Sequence, residues 1–460
     1  MSEQRPWLVL FDADHIKEYV FATGRLKEIR GGSLTVERLT RRGTIEKHIQ
    51  GTPGARLIYA SGAAGKVRFA AEEEARAFQV WLEENYRRET VTGSLTSVRV
   101  PYVETFQETA KQGEKGLRRA KDARLGLAVY APDGHGRWTL DGRRSAYQPA
   151  SGPFSRYCQS CGGQPATTPY ARGRRSEWLC AACAQKRRTV DRLRRKMRGD
   201  GDERLALEDD EYFGRPFLAF LQQEQPERWA AWRQAAFPQD LGALGHTSQP
   251  DNYLGFVYAD GDRIGELLKG MKSEEDYQLV STFLDEATRE AAYAALGRHF
   301  RPVGGVSDAD LAPFEVAMIG GDDLILLVAA HRALEVAVTF SREFSRRFAA
   351  LSAAEGRDWQ AAASVGVVLA HASQPILYLE QRAGELLKLA KKGRGDEAAV
   401  DYLVVASPTL NPVRRIRRQV YEHQDLHEKL YRTRRPYTLS ELEWLLNQAR
   451  KLKYGEAEGR

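Results

Sequence analysis

Two short apolar runs, Val316–Ile319 and Leu324–Val328, meet across the four residues Gly320-Gly321-Asp322-Asp323. Each run is bounded and rich in branched residues, so each predicts a strand. A tight Gly-Gly-Asp-Asp turn between them makes a hairpin with two carboxylates at its tip. Upstream, the strand-like run Leu254–Tyr258 leads into Asp260-Gly261-Asp262. Carboxylates at the ends of neighbouring strands offer hard oxygen ligands, which suit Mg²⁺ or Mn²⁺. Such ions can assist in-line attack of a hydroxyl on a nucleotide phosphate. The same four residues also suit a plain surface hairpin, since Asp and Gly are common turn formers. Element order favours the metal site. The chain reads strand (254–259), helix (to 298), strand (315–319), strand (324–328), helix (331–350), strand (363–370), helix (378–392). That is a βαββαβ ferredoxin-like unit, and its first strand and hairpin can lie side by side.

The unit occurs twice. Trp7–Phe11 leads into Asp12-Ala13-Asp14-His15-Ile16, and Gly255–Ala259 leads into Asp260-Gly261-Asp262-Arg263-Ile264. Downstream of the first copy, Arg56–Ala60 and Lys66–Phe69 flank Ser61-Gly62-Ala63-Ala64-Gly65, followed by a helical stretch from Glu72 to Arg88 and a strand-like Ser94–Val100. This hairpin carries no carboxylate. The first copy therefore reads as a duplicate that keeps the fold without the metal chemistry.

All four cysteines fall at Cys158-x2-Cys161 and Cys180-x2-Cys183, with eighteen residues between the pairs. Two such knuckles fit a tetrahedral Zn²⁺ site, and four thiolates leave no open position, so its role is structural. Two disulfides are the alternative, which an intracellular setting disfavours. Lying between the repeats, the module is expected to act as a rigid spacer.

A chain of 460 residues has room for two to four domains, and 42% hydrophobic content suffices for packed cores. No apolar stretch approaches a membrane span, and the N-terminus lacks a signal-peptide pattern, so a cytoplasmic protein without membrane contact is expected. Formal net charge is +7 and clustered: eleven Lys or Arg against two acids between Arg172 and Arg198, then Arg414–Arg418, then Arg432, Arg434 and Arg435. Such clusters suit RNA or other polyphosphate partners, and equally a solvated helix face. The expected organisation is α+β: a degenerate palm (1–150), the zinc module (151–200), a helical linker (201–250), a second palm (251–405) and a helical C-terminal domain (406–460). The last opens a capped helix at Thr438; the final residues, GEAEGR, are expected to be disordered.

A degenerate palm, a four-cysteine module, a palm with Gly-Gly-Asp-Asp and a helical tail, in that order, resemble the Cas-ten family, the large subunits of type III CRISPR effector complexes. The resemblance rests on residues 11–33, the cysteine knuckles, Tyr258–Leu268, Met318–Leu327 and the tail helix. It implies that ATP is joined 3′–5′ into cyclic oligoadenylate by the second palm. It assigns Asp260, Asp322 and Asp323 to the metal-binding set, and the turn from Gly261 through Asp262, Arg263 and Ile264 to Gly265, with Gly320 and Gly321, to the nucleotide. Lys391 and Lys392 resemble triphosphate-binding lysines; an ordinary cationic helix end has the same appearance. Effector-complex subunits are implied as partners, and a homo-oligomer is compatible. The family often begins with an HD-type nuclease domain, for which this chain has no room, so a shortened relative is expected. Two other readings fit the residues: a diguanylate-cyclase-like enzyme using GTP, and a non-catalytic scaffold binding RNA or protein through its basic faces.

Overall fold

The run Leu8–Phe11 is wholly buried and forms the centre of strand β1 (Trp7–Asp14). In the computed structural model, residues 5–123, 130–132, 138–140, 143–144, 156–172, 175–195, 205–304, 310–393, 397–407, 411–424, 429–431 and 433–455 are described. Residues 173–174 and 196–198 of the first basic cluster, Arg432, and residues 456–460 of the expected disordered end lie outside them. The chain divides into two units, Met1–Arg192 with Gly265–Thr282, and Leu193–Ile264 with Phe283–Arg460.

In the first unit β1 pairs with β3 (Ala64–Phe69) and β4 (Ser94–Pro101), and β2 (Arg56–Ser61) completes the order β2-β3-β1-β4. This is the expected βαββαβ arrangement. Phe11, Phe69 and Phe78 pack between the sheet and helix Glu72–Thr90. The β2–β3 turn has positive φ at both Gly62 (59°) and Ala63 (66°), the conformation of a type I′ hairpin.

The cysteine module adds a hairpin, β5 (Thr168–Arg172) and β6 (Arg175–Leu179), and helix Ala181–Arg195. It is no free-standing spacer, because that helix packs into the first palm through buried charges. Arg187 reaches Glu28, which has no solvent exposure, at 2.6 Å and Glu177 at 2.7 Å. The Lys186 ammonium donates to the Tyr19 carbonyl and lies 4.1 Å from the Tyr19 ring centre. Buried ions persist only where partners surround them. Residues 265–282 belong to the same unit: Glu274 is buried beside Arg68 at 3.3 Å, and Lys66 donates to the Tyr277 hydroxyl at 2.6 Å.

The second unit repeats the plan and extends it. Strands β7 (Tyr253–Gly261), β8 (Phe314–Gly320), β9 (Asp323–Ala329), β10 (Ala363–His371), β11 (Ala399–Val405) and β12 (Tyr437–Thr438) take the order β8-β9-β7-β10-β11-β12. The first four repeat the arrangement of the first palm. Strand β11, absent from the sequence reading, runs parallel to β10 after helix Ile376–Gly393 crosses over. Phe213, Phe217, Trp232 and Phe314 form an aromatic core under β8. The tail is helical as expected, with Thr438 and Glu441 in a reciprocal capping box, and β12 ties it to the sheet. Among the described residues no helix is long and apolar enough to cross a membrane.

Candidate metal and nucleotide site

Strand β7 ends at Asp260-Gly261, and the β8–β9 turn sets Asp322 beside it. A Cβ added at Gly261 would stand 2.8 Å from the Asp322 carboxylate, so only glycine admits this approach. Gly321 takes φ +61° at the first central position of the turn. Burial, then the charge of Asp260, push the Asp322 carboxyl up to about 6. Asp323, first in β9, lies near Tyr258, whose hydroxyl is pushed up by burial and then by Asp323 and Asp260.

Asp262, second member of the acidic pair read at 260–262, is fixed by two partners. Its backbone N–H donates to the Ala362 carbonyl at 2.7 Å, so that peptide of the expected 261–265 cradle is not open to a phosphate. Its Oδ2 accepts from Ser364 Oγ at 2.8 Å, while Oδ1 is buried with no hydrogen-bond partner. Arg263 is exposed with φ 56°, Ile264 is buried, and Gly265 lies in the first turn of the short helix Ile264–Gly270. Lys391 donates to the Asp260 carboxylate and to the Gly261 carbonyl at 2.6 Å; Lys392 is exposed. The two lysines therefore part company.

Asp262 and Asp322 thus each feel the charges of Asp260 and Lys391, one Asp262 oxygen has no partner, and burial resists their joint ionisation. Hard oxygens at a crowded site are the donors that a divalent cation prefers.

The first palm holds the counterpart. Lys121, near the end of helix Phe106–Asp122, lies 2.6 Å from Asp12 and 3.2 Å from Asp14. Ser94 and Thr96 donate to Asp14 at 3.0 Å and 2.8 Å, as Ser364 does to Asp262. His15 and Arg263 share a left-handed backbone at matching positions. Sequence reasoning singled out Lys391 but missed its counterpart Lys121, although a signal existed: Ala120-Lys121-x-x-Arg124 matches Ala390-Lys391-x-x-Arg394. At the hairpin, however, Ala63 and Ala64 replace the two aspartates.

The sulfur atoms of Cys158, Cys161, Cys180 and Cys183 lie within 4.8 Å of one another, a cluster compatible with zinc. Backbone N–H groups of Ser160 and Cys183 point at Cys158 and Cys180 sulfur, each at 3.4 Å, the pattern of knuckles built to hold thiolates. Hydrogen bonds among the thiols push Cys158 down and Cys183 up, because four neighbouring sulfurs cannot all ionise without a cation. The basic clusters resolve into two kinds. Arg414, Arg415 and Arg418 are exposed, whereas Arg417 binds the buried Asp401 and Arg435 lies over the rings of Tyr402 and Tyr421.

Residues 253–399 match the protein family described as Cas10/Cmr2, second palm domain. No curated protein matches the sequence. Solved structures share the fold over nearly all of the chain. A Csm1-Csm4 cassette in complex with cA3 aligns with TM-score 0.54 and 17% identity, covering 100% of this chain and 60% of that one. Csm1 from T. onnurineus aligns with TM-score 0.52 and 15% identity, covering 97% and 56%. A Csm1-Csm4 cassette in complex with AMPPNP aligns with TM-score 0.51 and 16% identity, covering 100% and 64%. This chain thus spans less than two thirds of each. The family resemblance read from the sequence is borne out by these matches.

Proposed function

With a Cas10/Cmr2 second palm domain over residues 253–399 as the premise, we propose that this chain is a metal-dependent nucleotidyltransferase. It joins ATP 3′–5′ into cyclic oligoadenylate in type III CRISPR-like antiviral signalling. The observation that carries this reading is the meeting of Asp260 and Asp322 at the Gly261 gap, with Lys391 beside them. Asp260, Asp322 and Asp323, joined by the unpartnered oxygen of Asp262, would hold Mg²⁺ or Mn²⁺. The chemistry such a cation would supply is a lowered pKa of an ATP 3′-hydroxyl and countercharge for the α-phosphate and pyrophosphate. Lys391 offers its ammonium to the triphosphate, and the peptides of Arg263 to Gly265 and the Gly320-Gly321 turn line the nucleotide. Catalysis rests on positioning and electrostatics, with no protein nucleophile. ATP as the substrate is supported by the cA3 and AMPPNP held by the similar cassettes. The exposed Arg414, Arg415 and Arg418 suit RNA or a neighbouring subunit, and the cysteine module takes one structural zinc.

The test is incubation of the protein with each NTP and Mn²⁺, alone and with candidate RNA, followed by mass spectrometry. Cyclic oligoadenylate from ATP alone is the expected product. Product from GTP alone would turn the assignment to a diguanylate cyclase. Absence of nucleotide binding under every condition would leave a scaffold.

A further inference from the structure

The turn that carries Asp322 is gripped by one helix at both backbone polar atoms of Gly321. Gly321 is buried, and as first central residue of a two-residue hairpin its N–H and C=O lie outside the strand ladder. Buried backbone groups need partners. Here both partners are side chains of helix Glu274–His299. Asp285 Oδ1 accepts from Gly321 N–H at 3.1 Å, and Thr288 Oγ1 donates to the Gly321 carbonyl at 2.7 Å. Thr288 has no solvent exposure. Positions 285 and 288 share one helix face, so the pair acts as a two-pronged grip. Arg289 fixes the remaining Asp285 oxygen at 2.9 Å and thereby sets which oxygen faces the turn.

A glycine at this position has the widest backbone freedom of any residue, and the carboxylate that follows it inherits each change of turn angle. We propose that Thr288 and Asp285 are positioning residues that lock the Gly321 peptide and so aim the Asp322 carboxylate at the divalent cation. The inference rests on the reading that Asp260 and Asp322 hold that cation. A carboxylate already loaded by burial and by Asp260 is poised to bind metal only if its direction is fixed; a loose turn lets it swing to water. The grip touches no substrate and acts through Asp322.

Direct Mn²⁺ titration by electron paramagnetic resonance, with the metal alone, tests this. Thr288→Val removes the hydroxyl at nearly constant volume and should weaken Mn²⁺ binding about tenfold, the scale of one buried hydrogen bond. Thr288→Ser restores the hydroxyl and should return affinity to near the parental value. Asp285→Ala should weaken binding at least as much as Thr288→Val. Melting without metal is recorded for each variant, so that folding loss is read separately; Thr288→Ser and Asp285→Asn supply the folded comparison if Thr288→Val does not fold. Parental Mn²⁺ affinity in a folded Thr288→Val protein would overturn the inference. Equal Mn²⁺ affinity in the parent and in Asp322→Ala would remove the metal site itself, and the grip with it. Normal Mn²⁺ behaviour across the series with no product from any NTP would refute the proposed reaction while leaving the grip intact.

Discussion

Lys121 lies 2.6 Å from Asp12 in the first palm, from the penultimate position of its helix. Lys391 stands in the same relation to Asp260 in the second. The duplication therefore preserved a charge pair as well as a fold. What the copies do not share is the hairpin: two aspartates in one, two alanines in the other. Lys121 meets two carboxylates, whereas Lys391 acts on Asp260, Asp262 and Asp322.

Replacing Asp12 and Asp14 together with Ala should leave product formation intact at saturating ATP, with at most a loss in nucleotide affinity. Steady-state kinetics over a wide ATP range checks this. A loss as complete as that of an Asp322 variant would reverse the roles of the two palms.

Asp322→Asn should abolish product formation and raise stability without metal. A carboxyl held at about 6 in the folded protein binds more protons folded than unfolded between about pH 4 and 6, so parental stability falls as pH rises through that window. At pH 8 the variant should exceed the parent by at most about 3 kcal/mol, less what solvent screening removes. Melting at pH 5 and pH 8 without metal gives the comparison, and an unchanged difference between the two would contradict it.

Metal analysis of protein prepared without added metal should find about one zinc per chain, as four thiolates require. Zinc near zero with all four thiols titrating freely in the native protein would be decisive against it.

Arg187→Met should cost about 3–5 kcal/mol, because it leaves the fully buried Glu28 charged and without its cation. Adding Glu28→Gln should recover much of that loss. Urea unfolding of the two single variants and the double variant measures the coupling, and simple additivity would show the pair to be unimportant.

His299 is expected to shape part of the acid limb of the stability curve. Burial pulls its imidazole down to about 4, and its Nε2 lies 2.6 Å from Thr339 Oγ1. Between about pH 6.5 and 4 the unfolded chain takes up the proton first, so stability falls as pH falls through that window. His299→Gln should flatten this part of the curve by at most about 3 kcal/mol. A curve of unchanged slope between pH 6.5 and 4 would exclude His299 as its source.

The strands and helices of both palms were legible because each is a short periodic element with turn residues at its ends, from Trp7–Asp14 to Ile376–Gly393. The acidic cluster was legible because its members close recognisable strands. What escaped was fixed by distant partners. Glu28 meets Arg187 across 159 positions, so no local pattern announces that the cysteine module is built into the first palm. Gly321 meets Asp285 across 36 positions, and neither residue type signals the other. Asp262 was read as one of an acidic pair, but its bonds to Ser364 and Ala362 were not. Strand β11 was missed because periodicity alone could not say that Ala399–Val405 joins the sheet beyond β10.

The Gly62–Ala63 turn makes the divergence of the two copies hard to undo. Position 63 corresponds to Asp322, yet Ala63 is buried at φ 66°, so a side chain there leaves the backbone in another direction. Position 13 corresponds to Gly261, and the buried Ala13 carries there the methyl group that Gly261 lacks. Giving the first hairpin the geometry of the second would take a changed turn, a new acid and a lost methyl at once, and no one of these changes alone would do it.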